Sequence, residues 1–263
     1  MVIFLNVSAR AFNPKVIFIF YLKYSLAMKP LTSISKMIDH SLLHPTLTDE
    51  DLNAGCLLAR KYDVAAVCIK PYAVKLAQEI LSGSSVAVCT VVGFPHGGNT
   101  TEIKIWETEK ACEDGASEID FVVNIGKVLS GDWDYVSREI KMVNDTAVER
   151  GAIVKVIFEN DYLTDDFKIK LCHVCNKHRV AFVKTSTGYG FVKQPNGMYM
   201  YKGAVDSDVA LMRRECIPEI QIKAAGRIRT LDDLLRLKAL GATRIGTTAT
   251  EAILEEAKKR GYR

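Results

Sequence analysis

Four charged side chains lie within or at the ends of short apolar runs rich in β-branched residues, where desolvating a charge is costly. Lys184 closes Val180-Ala181-Phe182-Val183-Lys184, and Lys223 closes Ile220-Gln221-Ile222-Lys223. Asp120 interrupts Glu118-Ile119-Asp120-Phe121-Val122-Val123, and Lys155 sits in Val154-Lys155-Val156-Ile157-Phe158. A lysine withdrawn from water, or placed beside a second cation, gives up its proton more readily and then attacks a carbonyl carbon. A positioned carboxylate moves protons directly or through water. The chemistry these residue types support is imine formation. Lys184 is the expected nucleophile, Lys223 the cation beside it, and Asp120 and Lys223 the proton carriers. The competing reading is a buried Lys–Asp ion pair that fixes a protein interior. Three such residues on adjacent or nearly adjacent strand ends favour the chemical reading.

Small-residue loops follow these runs. Thr185-Ser186-Thr187-Gly188-Tyr189-Gly190 follows Lys184, Ala225-Gly226-Arg227-Ile228-Arg229 follows Lys223, and Gly246-Thr247-Thr248 ends the last run. Glycine lets backbone N–H groups close on an anion, and Arg227 or Arg229 supplies charge. Singly, such glycines are ordinary turn residues. Together with Lys184 they point to a phosphorylated carbonyl substrate.

Strands must carry these residues, and the sequence supplies eight. They are expected near 38–40, 64–69, 86–92, 118–123, 154–158, 180–184, 220–223 and 244–246, alternating with amphipathic helices. The helix from Thr48 carries Asp49, Glu50 and Asp51 in its first turn, where carboxylates suit the helix dipole. Eight β/α units predict an α/β fold, a (β/α)8 TIM barrel of roughly the usual 250 residues, with its site at the C-terminal ends of the strands. A doubly wound sheet fits less well, because the first βα turn lacks a Gly-rich dinucleotide fingerprint. The stretch near 192–203 contains Pro195-Asn196-Gly197 and predicts an inserted hairpin or flap.

Apolar residues make up 48% of the 263, enough for a sizeable core. The net charge of +4 arises before Asp39, where Arg10, Lys15, Lys23, Lys29 and Lys36 meet no acid. The rest is near neutral, so no nucleic-acid footprint is expected. Seven scattered cysteines favour reduced thiols and a cytoplasmic protein. Cys172-His173-Val174-Cys175 has metal-like spacing but no second pair nearby, so no metal is expected. Residues 1–36 read as an N-terminal extension, with the functional start at Met28 preferred over a targeting peptide or an interfacial anchor. Val16 to Leu22 is too short to span a bilayer. The remainder, 37–263, reads as a single domain without a membrane segment.

The ordered motifs resemble one family. They are Ile38-Asp39-His40-Ser41-Leu42-Leu43, Val67-Cys68-Ile69-Lys70-Pro71, Val91-Val92-Gly93-Phe94-Pro95-His96-Gly97, Glu118-Ile119-Asp120 with Asn124-Ile125-Gly126, Phe182-Val183-Lys184-Thr185-Ser186-Thr187-Gly188, and Lys223-Ala224-Ala225-Gly226. From about Met37 onward the chain resembles the deoxyribose-phosphate aldolases, class I aldolases that cleave 2-deoxy-D-ribose 5-phosphate. The resemblance implies a (β/α)8 barrel, no metal or cofactor, and a homodimer or higher homo-oligomer. It implies that Lys184 forms the Schiff base while Asp120 and Lys223 transfer protons. Gly188, Gly226 and Gly246-Thr247-Thr248 then match phosphate-binding segments, and Cys68 matches a cysteine near the substrate. Ser41, Lys155, Thr187 and Arg227 complete the expected substrate contacts. Two positions depart from the pattern. Arg227 stands where the family usually has a second glycine, and Ala249 where some members have a serine.

Overall fold

The computed structural model describes residues 32–262. Its strands, in chain order, are β1 (Ile38–Leu42), β2 (Ala66–Ile69), β3 (Ala87–Val92), β4 (Glu118–Val122), β5 (Ile153–Ile157), β6 (Phe182–Lys184), β7 (Val192–Lys193), β8 (Tyr199–Met200), β9 (Gln221–Ala225) and β10 (Arg244–Thr247). All but β7 and β8 pair in parallel and close into an eight-stranded barrel, with β10 returning to β1. The helices are α1 (Thr32–Ser35), α2 (Asp49–Tyr62), α3 (Val74–Leu81), α4 (Thr101–Glu113), α5 (Ile125–Leu129), α6 (Trp133–Glu149), α7 (Asp165–His178), α8 (Asp206–Glu215), α9 (Leu231–Ala239) and α10 (Thr250–Lys259). The TIM barrel expected from the strand count is the fold observed.

Local chemistry explains where helices start. Thr48 caps α2 and Thr230 caps α9, each in a reciprocal capping box with an aspartate three residues on, Asp51 and Asp233. Period-2 alternation then divides each strand. Ile119 and Phe121 of β4 point outward into the large core between strands and helices, while Glu118 and Asp120 point into the barrel. Inside the barrel the apolar cluster is small: Ala66, Cys68, Cys89 and Val91. Charged groups occupy much of the remaining interior, where barrels usually stack branched aliphatic side chains.

Some boundaries differ from the sequence expectation. β9 continues two residues past Lys223, which places that lysine mid-strand. β6 begins two residues late, because the Val180 N–H closes the end of α7 on Cys175 O. The short helix α5 was not anticipated; Asn124 caps it by accepting from the Lys127 N–H at 3.1 Å. The barrel body also begins before Met37. Ile34 is fully buried in the core, and Lys36 pairs with Asp63 at 2.7 Å. The Val16 to Leu22 run and Met28 lie outside the described residues. Among the described residues no helix is long and apolar enough to cross a membrane.

The anticipated hairpin is present as β7 and β8, paired Val192 to Met200 and Lys193 to Tyr199. Gly197, at φ +80°, supplies the left-handed residue of its turn. The hairpin leans over the C-terminal end of the barrel, where Phe191 and Tyr201 meet edge to face at 5.4 Å.

Candidate active site

Asp120 is fully buried, and three ammonium groups converge on it. Lys184 Nζ lies 2.5 Å and Lys223 Nζ 2.7 Å from Oδ2, and Lys155 Nζ lies 2.9 Å from Oδ1. Strand register brings them together: Asp120 pairs with Lys155 across β4 and β5, and Lys184 with Lys223 across β6 and β9. Lys223 also donates to Asp39, whose other oxygen accepts from Arg244 at 2.6 Å. Arg244 continues to Glu118 at 3.1 Å, and Glu118 accepts from Lys155 at 2.6 Å. Gly246 leaves room for this packing, since a Cβ there would lie 3.1 Å from Ala225 Cβ and 3.5 Å from Lys223 Cε.

The network fixes most protonation states. Burial alone would raise the Asp120 pKa, but Lys155, Lys184 and Lys223 hold it well below the usual carboxylate range. Asp39 is likewise held low, against burial, by Lys223, Lys155 and Arg244. Burial opposes the charge on Lys223, yet Asp120 and Asp39 push its pKa up. Lys155 is also raised against burial, by Asp120, Cys89, Asp39 and Glu118. The second cation expected beside Lys184 is therefore present and charged.

One cavity of about 360 Å³ opens above this floor. Lys184, Lys223, Ser41, Cys68, Thr187, Gly188, Gly226, Arg227, Gly246, Thr247 and Thr248 all line it, as do Arg229 and Asp39. Asp120 and Lys155 do not. Asp120 sits one layer beneath, in contact with both lining lysines. Lys155 is fully buried under Asp120, so direct substrate contact gives way to charge compensation within the network. The hydroxyls of two lining threonines are already engaged. Thr247 donates to Ile228 O at 2.7 Å, and Thr187 donates to Glu159. Neither hydroxyl is free for a ligand, and the Thr187 N–H is also taken up by Glu159 at 3.1 Å.

The loop backbone suits an anion. Gly188 and Gly226 have φ of +90° and +95°, conformations open to glycine. The Gly188 N–H has no acceptor among the described residues. Arg227 also adopts positive φ, +60°, at a cost of about 1 kcal/mol for a residue with a Cβ. It thus keeps the backbone form a glycine would take there. Its guanidinium donates to Tyr201 O at 3.3 Å, at the edge of the flap.

The chain is similar to known proteins over most of its length. The DeoC/LacD family aldolase model matches residues 32–246. The chain belongs to the DeoC/LacD aldolase family. A deoxyribose-phosphate aldolase of Rhodopirellula baltica is 50% identical over 226 residues, covering 86% of this chain and 90% of that one. One from Thermococcus gammatolerans is 47% identical over 227 residues, covering 86% and 96%. The solved tetrameric deoxyribose phosphate aldolase of Aeropyrum pernix superposes with a TM-score of 0.77 at 28% identity, covering 88% of this chain and 93% of that one.

Several groups in this aldolase's ion network escaped the reading of its sequence. Asp39 and Arg244 carry the same signal as Lys184, a charge within an apolar strand, but without a partner in view. Cys89 donates to Asp120 Oδ1 at 3.2 Å and also meets Lys155 at 3.2 Å. The neighbouring Cys89 thiol, with sulfur atoms 3.7 Å apart, pulls Cys68 below its usual pKa when its proton turns to Cys68 rather than Asp120. Cys68, Cys89 and Asp120, and likewise Asp39, Cys89 and Glu118, are close enough for each trio to hold a metal ion. Lys155 lies among both sets and already supplies positive charge there. The Cys172-His173-Val174-Cys175 motif does not converge. Both cysteines are buried on α7, whereas His173 is exposed and pairs with Glu215 at 3.4 Å.

Proposed function

We propose that this chain is a class I aldolase that reversibly cleaves 2-deoxy-D-ribose 5-phosphate to D-glyceraldehyde 3-phosphate and acetaldehyde. The observation that carries the reading is the single Asp120 oxygen shared by Lys184 and Lys223 at the floor of a cavity walled by glycine and arginine loops. Lys155, Lys184, Lys223 and Arg244 form ion pairs with three carboxylates, Asp39, Glu118 and Asp120, and Glu159 acts on Lys184 at longer range. Lys184 touches one carboxylate, Lys223 two and Lys155 three. Lys184 is thus the lysine least tied into the network, and it lines the cavity.

Neutral Lys184 adds to C1 of the open-chain sugar, and loss of water gives the iminium. The iminium accepts the electrons of the C2–C3 bond as the C3 hydroxyl loses its proton to the Asp120 and Lys223 pair through water. Glyceraldehyde 3-phosphate leaves. The enamine takes a proton at C2, and hydrolysis of the resulting iminium releases acetaldehyde and restores Lys184. The phosphate is assigned to the backbone of Gly188, Gly226 and Gly246-Thr247-Thr248, with Arg227 and Arg229 supplying charge. Ser41 and Cys68 flank the sugar. The same reading assigns a role in deoxyribose breakdown, a cytoplasmic setting and a homo-oligomer.

Borohydride reduction in the presence of 2-deoxyribose 5-phosphate, followed by peptide mass mapping, tests it. The expected result is a reduced adduct on Lys184, absent from Lys184→Ala, whose turnover falls at least about 1,000-fold. An adduct on Lys223 would reverse the two lysine roles. No adduct on a folded protein that binds the sugar phosphate would overturn the aldolase reading.

A further inference from the structure

The turn after β5 carries a glutamate in an unfavourable place. Glu159 has φ +58° and ψ +64°, the left-handed region that a residue with a Cβ rarely adopts. Its side chain is almost fully buried, which raises its pKa to about 7; among the described residues it forms no direct ion pair, and Lys184 is the cation that favours its charge from farther off. Its carboxylate accepts the Thr187 N–H at 3.1 Å and also the Thr187 hydroxyl. That hydroxyl in turn accepts the Tyr189 N–H at 2.9 Å. Three donors are thus arranged in sequence around Gly188, which lines the cavity and whose own N–H has no acceptor among the described residues.

The surrounding residues accommodate this arrangement. Gly190 packs against the glutamate, and a Cβ there would lie 2.5 Å from Glu159 Cδ. Backbone bonds on either side clamp the turn to β6: Phe158 N–H to Lys184 O at 3.0 Å and Asn160 N–H to Thr185 O at 2.9 Å. The same turn grips the flap. Asp161 accepts the N–H groups of Lys202 and Gly203, each at 3.1 Å, and the Tyr162 hydroxyl donates to Phe191 O at 3.2 Å. Residues 159–162 therefore bracket both the loop after Lys184 and the flap that faces it. A buried carboxylate in a strained backbone is costly, and barrel packing alone does not require it.

We infer that Glu159 is a positioning residue for phosphate recognition: it sets the Thr187 to Tyr189 turn so that the Gly188 amide meets the substrate's phosphate. This rests on the aldolase reading for the identity of the substrate, but the anion site can be probed without it. Glu159→Gln keeps the side chain's volume. Its amide keeps one acceptor oxygen where the carboxylate has two, so an NH2 group meets either the Thr187 N–H or its hydroxyl and one of these bonds is lost.

The experiment measures two quantities on wild type, Glu159→Gln and Gly190→Ala. One is the affinity for inorganic phosphate, by calorimetry. The other is borohydride trapping of Lys184 with acetaldehyde, which carries no phosphate. Phosphate affinity is expected to fall about tenfold in both variants, the scale of one hydrogen bond to a charged group, with trapping held within about twofold. KM for the phosphorylated sugar should rise in parallel, with little change in kcat/KM for 2-deoxyribose. Unchanged phosphate affinity would overturn the inference. So would trapping lost in proportion, which would make Glu159 a support of Lys184 or of the barrel. If Glu159→Gln fails to fold, Gly190→Ala, which displaces the carboxylate by contact, decides by the same criteria. If wild type forms no adduct, the aldolase reading falls while the phosphate comparison still judges Glu159.

Discussion

A buried charge in an apolar strand is conspicuous because the chain rarely tolerates it without a partner. That is why Lys184, Lys223 and Asp120 were legible before any fold was known. Asp39 bears the same mark, but its significance depends on Lys223 and Arg244, which are 184 and 205 residues away. Only closure of β10 onto β1 brings them together, and no local pattern encodes that. Asp39 is the second carboxylate on Lys223 beside Asp120, and with it raises the Lys223 pKa against burial. Asp39→Asn should lower kcat by about 10- to 100-fold through weakened proton transfer, while KM changes little. Steady-state kinetics would check this, and kcat within twofold of wild type would remove Asp39 from the proton-handling unit.

At the level of elements, helix starts were legible from Thr48 and Thr230, whose caps act over four residues. The helix α5 was not, because five residues containing Gly126 give no periodic signal. Nor could sequence reveal what α4 hides. Lys104 reads as a surface lysine on a polar helix, yet it is fully buried and pairs with fully buried Glu139 of α6 at 2.7 Å. Burial pushes the Lys104 pKa down and the Glu139 pKa up, each toward neutrality, against the attraction between them. Lys104 also donates to Val122 O at 2.9 Å, and Glu139 accepts the Asn124 N–H at 2.9 Å. The pair thus braces the C-terminal end of β4, the strand that carries Asp120. Glu139→Ala should cost about 3 to 5 kcal/mol by leaving a buried ammonium alone. Replacing both, Lys104→Met with Glu139→Leu, should cost far less. Urea unfolding of wild type and the two variants measures this, and equal losses for the single and double changes would refute a coupled pair.

For the molecule as a whole, the barrel was legible because eight strand and helix units admit few arrangements. Closure across the barrel mouth, as between Glu159 and Thr187, was not, since it joins loops with no shared pattern. The closed barrel also creates an acid sensitivity that composition does not reveal. His40 faces outward from β1 into the helix layer, where Nδ1 lies 2.8 Å from the Thr250 hydroxyl of α10. Burial lowers its pKa from 6.5 to about 4. An unfolded chain takes up this proton near pH 6.5, whereas the folded chain resists until about pH 4. Through His40, protons therefore favour the unfolded state across that window, whereas Glu159, whose pKa burial raises to about 7, works the other way there. The loss through His40 alone at pH 4.5 should be on the order of 2 kcal/mol. Asp39 and Asp120, held ionised in the fold, add their losses only at lower pH. His40→Gln, which cannot take up the proton, should start less stable at pH 7.5 but lose less between pH 7.5 and 4.5. Urea midpoints at the two pH values decide the matter: parallel declines in wild type and variant would place the acid sensitivity elsewhere in the barrel.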